Sequence, residues 1–564
     1  MADGQQIPAT ALRDSLTSAL VACDVALVAM TRQLAAVVAD PERPTVESAD
    51  LLHAHGAEAM LLARLKAEAA AARVLHDLPS RSTGSSQLAA FAVATAALGI
   101  RAALVRDGGW MLSGLAAPTW DSAVEADLAT TAGSQAVAAL APWLLAGGAS
   151  HPSAYALSED HEEIRCVFRD FADGKVAPIA ERIHRHDEVL PESLLAAYAE
   201  VGALGITIPE AYGGQFLDHR SMALATEELT RASLGAGGSV ITRPEIAAKA
   251  LLKGGSEAQK RHWLPRIASG RDIVSIAVTE PGAGSDVAAL RLGARKVEGG
   301  WRLSGEKTWC TFAGRATLLL VLARTGTPAA KARGLTLFLV PKPPVLPPAD
   351  DRSFAFENDG IAPDGKPCGR ASGRAIPTVG YRGMHSFSVF FEDLYVPDEH
   401  RIGGEGEGFA LQMAGFAGGR IQTAARAVGV MEAALRAAVA YVQERQVFGR
   451  SLGSLGLPQR RLCEMAARVA LARQMTYAVC DAMDAGKGQA EASLVKLMAC
   501  RDAETVTREA MQLHGGMGYS EEYAVSRYWL DARVLSIFEG AEEVLAILVI
   551  ARAAVREVLA PAAP

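Results

Sequence analysis

The sequence predicts a mainly α protein with one small β domain, a C-terminal helical bundle and a helical N-terminal extension. Three observations carry that reading. Residues 10–150 are rich in Ala and Leu at helical spacing, short β-type runs bounded by Gly and Pro begin at Ile273, and long amphipathic patterns return from Phe409. At 564 residues the chain exceeds what one hydrophobic core usually serves, so three or four domains are expected.

The extension, residues 1–150, shows its helical pattern in Ala59, Met60, Leu61, Leu62, Ala63 and Leu65 and again from Leu88 to Leu98. The loop Leu78–Ser86 is expected to divide it into two helical blocks. It holds no catalytic constellation. Trp110, Trp120 and Trp143 are expected to pack helices, and the extension to cover apolar surface or build an oligomer. Gly147–Pro152 reads as a linker. A second helical domain, residues 158–272, opens with Glu162–Phe171. The β domain, residues 273–397, rests on Val274–Val278, Trp301–Leu303, Thr317–Ala323, Leu335–Val340, Val389–Phe391 and Leu394–Val396. Residues 341–379, rich in Pro, Gly and Asp, read as a surface excursion. The last domain, residues 398–560, contains the helical patterns Ile421–Arg445, Gln459–Ala485 and Ala490–His514.

Composition excludes several classes. A net charge of −7 without a basic tract gives no electrostatic reason to expect nucleic acid. The longest nearly uninterrupted apolar stretch, Leu88–Ile100, is too short to span a bilayer, so no membrane partner is expected. Met1-Ala2-Asp3-Gly4 lacks the positive start of a signal peptide. Seven scattered cysteines form no Cys-x-x-Cys pair, which suggests neither a metal site nor a disulfide framework. A reducing cytoplasm is the simplest compartment.

Five segments carry chemistry. Thr279-Glu280-Pro281-Gly282-Ala283-Gly284-Ser285-Asp286 puts small residues at a strand exit, where backbone N–H groups and the Thr279 and Ser285 hydroxyls can approach a ligand closely. Trp309-Cys310-Thr311 falls on an expected strand, so Trp309 and Thr311 share a face. Arg445–Arg450 closes a long helix, where a positive charge suits the helix C-terminus. Gln512-Leu513-His514-Gly515-Gly516-Met517-Gly518, marked by its glycines, is the fourth segment. Phe538-Glu539-Gly540 precedes the apolar helix Val544–Ala551, which places Glu539 at a helix N-terminus, although Glu542 and Glu543 would serve the dipole as well.

In this order and spacing, from about residue 158 to 558, these segments resemble the acyl-CoA dehydrogenase family of flavoproteins. The resemblance implies a helical domain, a β-barrel-like domain and a helical bundle, with FAD as cofactor and an acyl-CoA as substrate. It implies FAD contacts from Ile276, Val278, Thr279, Gly284, Ser285, Trp309 and Thr311. Arg445, Phe448 and Gln459 would reach the FAD of a neighbouring subunit, so at least a homodimer is expected. Gln512, Gly515 and Gly516 would meet its adenine and pyrophosphate part. Glu539 becomes the base for the α-proton, and the alternative family position, Gly419, cannot act as one. Substrate contacts fall on Ser285, Arg420 and Gly540. An electron-transfer flavoprotein is the implied electron acceptor.

The chain also departs from the family. Ala541 and Glu543 stand where the family usually has threonine and glutamine touching the FAD adenine, and Ala417 replaces a frequent acidic CoA contact. A short branched acyl-CoA with a second carboxylate is the expected substrate. Arg243, in Val240–Pro244, is the first candidate to bind that carboxylate, with Tyr381 and Arg382 next. A surface or inter-helix salt bridge of Arg243, with Glu245 as one partner in reach, is the competing reading. An oxidase, a dehydrogenase for another branched acyl-CoA, and a non-catalytic FAD- or CoA-binding scaffold remain alternatives.

Overall fold

The computed structural model describes residues 9–40, 46–79, 82–108, 117–148, 157–343, 352–358 and 360–560. Trp110 and most of the 147–152 segment lie outside the described residues. The chain forms two compact units, one of Met1–Glu163 with Thr423–Pro564 and the other of Ile164–Gln422.

In the first unit the extension packs on the terminal helices. The helix Gly56–Asp77 lies against the helices Gly456–Asp484, Glu491–His514 and Val544–Ala551. Its alanines permit close approach, and Ala63 joins Leu497, Ala546 and Ile550 in one buried cluster. An ionic tie reinforces this packing. The Glu47 side chain, 1% exposed, accepts bonds from Arg552 Nε at 2.6 Å and from Arg556 Nη2 at 2.6 Å and Nε at 2.9 Å. The helix Thr83–Ala103 begins inside the expected 78–86 loop, because Ser82 and Ser85 form a reciprocal capping box that starts it early. Trp120 serves packing as expected: its indole donates to Glu125 at 2.6 Å and Arg101 stacks over it at 5.1 Å.

One expectation needs correcting. Ala9–Val38, Thr83–Asp107 and Ser122–Leu145 are each long and apolar enough, by length and composition, to cross a membrane. The reading from Leu88–Ile100 stopped at the first polar interruptions and underweighted the alanines around it. Each helix buries part of that surface within its unit.

The second unit combines helices such as His219–Ala232, Thr242–Gly254 and Glu257–Ala268 with a nine-stranded sheet. Its strands are β1 (Val274–Ala277), β2 (Gly293–Val297), β3 (Gly300–Thr311), β4 (Leu318–Arg324), β5 (Leu335–Pro341), β6 (Ser353–Glu357), β7 (Arg370–Ala375), β8 (Ser386–Pro397) and β9 (Arg401–Ile402). The order is β6-β7-β8-β3-β2-β4-β5-β9, with β1 parallel to β4. Leu318, Leu320 and Leu322 face a core shared with Ile246, Leu251 and Leu264 of the helices. Leu319 and Val321 point the other way, toward Trp301, Phe338, Phe354 and Phe387. Burial on both faces explains the uninterrupted apolar run in β4. The second core draws side chains from β1 through β8, so the sheet curls over its own face in a barrel-like manner.

The described part of the 341–379 excursion holds more regular structure than its composition predicts. β6 and β7 form a hairpin that extends the sheet edge through β8. Phe354 and Phe356 alternate into the core, whereas Arg370–Ala375 carries no apolar period and draws its strand geometry from its neighbours. The two runs expected at 389–391 and 394–396 are one strand, β8, kinked at Asp393 with φ of 49°.

Replacing Glu47 by Gln should cost the first unit about 2 kcal/mol, since a buried anion is lost from partners that are themselves partly solvated. Hydrogen bonds from Arg556, then Arg552, hold this carboxyl down to about 2 from an ordinary 4.5. A lowered native value means full stabilisation above 4.5, fading as pH falls toward 2. Thermal melts should therefore show the wild-type advantage over Glu47→Gln narrowing across that window. A gap constant with pH would show that the arginine contacts are not what Glu47 contributes.

Candidate active site

Two candidate segments meet in the second unit. At the exit of β1 the Thr279–Asp286 turn is closed by reciprocal bonds between Glu280 and Ala283, at 3.2 and 3.0 Å. Glu280 points inward and accepts from the backbone N–H of Arg291 at 2.7 Å, that of Leu292 at 2.9 Å and Lys307 Nζ at 2.8 Å. Lys307, fully buried on β3, also donates to the Val278 carbonyl at 2.8 Å. Burial pushes its ammonium below the ordinary value, and Glu280 opposes that shift. One residue on, the Thr308 N–H reaches the Thr279 carbonyl at 2.8 Å. The turn and the Trp309 strand are thus clamped together.

β3 has a register shift against β8 between Lys307 and Cys310, and Trp309 sits in it with φ of 57°. A bulky residue in the left-handed region is uncommon and marks strain held by its surroundings. The bulge, rather than simple strand alternation, sets where Trp309 points, which corrects the regular-strand expectation. The indole is 55% exposed, while Cys310 beside it is buried, its thiol pushed up to about 12. The Thr311 hydroxyl lies 2.9 Å from that of Ser386, and its carbonyl accepts from Ser275 Oγ at 2.8 Å. Val278 is buried behind the turn, Ile276 and Thr279 are half-buried, and Gly284 and Ser285 are exposed. A Cβ built on Gly282 would meet nothing, and one on Gly284 only Thr279 Cγ2 at 3.6 Å. Protein packing therefore does not demand these glycines; the room above them is free for a ligand.

Arg243 and Tyr381 also come together in this unit. Arg243, 6% exposed, donates from Nη2 to the Tyr381 hydroxyl at 2.9 Å and from Nη1 to the Ser239 carbonyl at 2.6 Å. Tyr381 is buried with φ of 58°. The competing reading fails: Glu245 pairs with Lys249 at 2.6 Å, and no carboxylate among the described residues lies within ion-pair reach of Arg243. Arg382 is otherwise engaged, donating to the His184 carbonyl at 2.6 Å beside Asp187 at 3.5 Å. Arg420 is half-buried on the helix Gly408–Glu444.

The remaining candidates lie in the first unit. Glu539 is not in the first turn of a helix, as expected, but in the turn before it, with φ of 53° followed by 96° at Gly540. Glu542, which opens the helix, pairs instead with Arg501 at 3.0 Å. Glu539 Oε2 is buried without a hydrogen-bond partner among the described residues. The Gly540 carbonyl accepts from Lys496 Nζ at 2.7 Å. Ala541 offers only a methyl group, and Glu543 is exposed. Gln512, Gly515 and Gly516 are exposed, and a Cβ on either glycine would meet nothing. Arg445 ends its helix at the surface. Phe448, 95% exposed with φ of 50°, tips the hairpin formed by Gln446–Val447 and Arg450–Ser451. The Gln459 amide donates to the Gly453 carbonyl at 3.0 Å.

Glu280, Lys307, Ser386 and Lys496 escaped the sequence reading. Glu280 lies within the quoted Thr279–Asp286 segment and Lys307 two residues before Trp309, and only pairing across 27 positions reveals them as a buried unit. Ser386 and Lys496 carry no local signal.

The second unit thus presents a strand-exit glycine turn clamped to a bulge tryptophan, and the first a left-handed glutamate with an unpartnered oxygen. Three family models match in series: the acyl-CoA dehydrogenase N-terminal domain over residues 158–271, the middle domain over 275–353 and the C-terminal domain over 406–555. The chain belongs to the acyl-CoA dehydrogenase family. It is 41% identical over 398 residues to (2S)-methylsuccinyl-CoA dehydrogenase of Cereibacter sphaeroides, covering 70% of each chain. Butyryl-CoA dehydrogenase of Megasphaera elsdenii superposes with a TM-score of 0.63 at 29% identity, over 70% of this chain and 97% of that one. A glutaryl-CoA dehydrogenase of Mycobacterium smegmatis in complex with FADH2 gives 0.61 at 26% identity, over 70% and 95%.

FAD is the family's cofactor, and the residues fit it: open glycines at 282, 284, 515 and 516 and an exposed tryptophan on strained backbone. Removing Lys307 alone leaves Glu280 buried and unpaired, which costs about 3–5 kcal/mol. Lys307→Met should therefore retain well under one FAD per chain after dialysis, read from flavin absorbance. Glu280→Gln combined with Lys307→Met should recover part of that loss. Equal FAD retention in the wild type and Lys307→Met would show that the clamp does not shape the cofactor site.

Proposed function

We propose that this protein is a cytoplasmic, homo-oligomeric enzyme that dehydrogenates (2S)-methylsuccinyl-CoA to mesaconyl-CoA and passes the electrons to an electron-transfer flavoprotein. The observation that carries the substrate reading is Arg243: a buried guanidinium, oriented by Tyr381 and Ser239, with no acidic partner among the described residues. A buried cation without a counter-ion is costly, and a substrate carboxylate would supply the missing charge through a planar, two-point contact. The relative named for methylsuccinyl-CoA and the neighbour named for glutaryl-CoA support a dicarboxylic acyl group.

In this reading Glu539 takes the α-proton of the acyl thioester. Its unpartnered Oε2 is available to do so, and desolvation on substrate binding strengthens a carboxylate as a base. The Glu539 backbone N–H, presented by a left-handed turn, donates to the thioester carbonyl and stabilises the developing enolate. FAD, when bound, accepts the β-hydrogen with its electron pair. Arg243 binds the second carboxylate of the acyl group and so fixes that end of the substrate.

Glu539→Gln should retain FAD and bind acyl-CoA, yet lose at least about a thousandfold in anaerobic flavin reduction. Substantial residual bleaching would assign the base to another residue. Arg243→Met should lower kcat/KM for methylsuccinyl-CoA by roughly a hundredfold or more while leaving an uncharged branched acyl-CoA of similar size within a fewfold. Equal losses on both would make Arg243 structural. A wild-type preference for the uncharged substrate would overturn the methylsuccinyl assignment.

A further inference from the structure

The turn that carries Glu539 has two consecutive left-handed residues. Strain of that kind persists only where the surroundings impose it. Three contacts from the helix Glu491–His514 do so. Lys496 Nζ donates to the Gly540 carbonyl at 2.7 Å, Arg501 pairs with Glu542 at 3.0 Å, and Glu504 accepts from Ser536 Oγ at 2.5 Å. Lys496 differs from the other two. It is 0% exposed, its bond falls on the peptide next to Glu539, and no carboxylate among the described residues is within ion-pair distance of it.

We propose that Lys496 is the positioning residue of the base, its buried ammonium fixing the Glu539–Gly540 turn through the Gly540 carbonyl. The proposal rests on Glu539 being the base and adds the group that positions it. The charged and titratable groups around Lys496 come from several elements. The turn supplies Glu539 and Glu542, the helix Gly408–Glu444 supplies Arg426, and its own helix supplies Cys500. Glu542 is engaged by Arg501, and Arg426 lies over the Phe538 ring at 4.8 Å. Burial pushes the Cys500 thiol up to about 11, so it is neutral. From the helices Gly456–Asp484 and Val525–Leu535, Arg468 pairs with Asp502 and Arg533 with Glu504, farther along. The extension helix adds Ala63 against Leu497, the next residue, and Arg64 and Glu68 beside Arg501, Asp502 and Glu542. Burial lowers the Lys496 value, and Cys500, Glu539 and Glu542 hold it up.

The test uses Lys496→Gln and Lys496→Met as purified FAD-loaded enzymes, with flavin content and melting temperature establishing that each is folded. Lys496→Met should lose roughly tenfold in kcat with KM nearly unchanged, because the anchor of the turn is gone. Lys496→Gln should lose less, since its amide still donates to the Gly540 carbonyl. A kcat unchanged in both folded variants would overturn the proposal, as would an equal loss in Lys496→Gln and Lys496→Met or a loss confined to KM. Residual flavin reduction in Glu539→Gln is a separate result, which would overturn the assignment of the base itself.

Discussion

The buried pair of Glu280 and Lys307 is the constraint on which the cofactor-facing surface of the second unit depends. Withdrawing either charge from water costs several kcal/mol, and the pair is tolerated only because nearly every donor and acceptor is filled. Glu280 accepts two backbone N–H groups besides the ammonium, and Lys307 returns a bond to the Val278 carbonyl. The pair therefore does more than join two charges. It fixes the exit of β1, the start of β2 and the middle of β3 as one rigid corner. The open glycine turn hangs from one side of that corner and the strained Trp309 from the other.

From that corner follows an economy of side chains. Groups that face the cofactor region are small or aromatic, and the charges that organise them are hidden. Gly282 and Gly284 face open space, so their value lies in what they leave room for, while the ionic work is done behind them. The same division recurs in the first unit. Glu539 presents a buried oxygen without a partner, while Lys496, Arg501 and Glu504 hold the flanking positions from one helix. In both places a strained non-glycine residue is imposed by buried polar contacts several residues away.

Much of this was legible in the sequence. The three long helices of the bundle, the strands β1, β4 and β5, and each chemistry-bearing segment declared themselves through period or glycine spacing. Arg243 and Tyr381 stood out only as separate candidates to bind a substrate carboxylate, and their contact across 138 positions did not show. What stayed hidden has a common cause. β7 lacks an apolar period and owes its geometry to β6 and β8. Lys307 and Lys496 look like ordinary lysines on exposed faces until tertiary pairing buries them. The left-handed turn at Glu539 looked like a helix start because a carboxylate before an apolar run satisfies the same pattern. Local pattern reports period and turn chemistry, and it is blind to pairings that only the closed fold creates.

The extension bears on catalysis through this same logic. The three family domains account for residues 158 onward, and the helices before them are additional to that core. In the first unit, however, the helix Gly56–Asp77 packs on both the helix Glu491–His514 and the helix Val544–Ala551, the two elements that bracket the Glu539 turn. Ala63 sits against Leu497, next to Lys496, and against Ala546 and Ile550 beyond the turn. Glu47 ties the continuation of that terminal helix through Arg552 and Arg556. A strained turn is only as fixed as the elements on either side of it. Here one face of both flanking helices is covered by residues outside the common core. The extension therefore belongs mechanically to the Glu539 turn, because it packs on the two helices that carry Lys496 and follow Gly540.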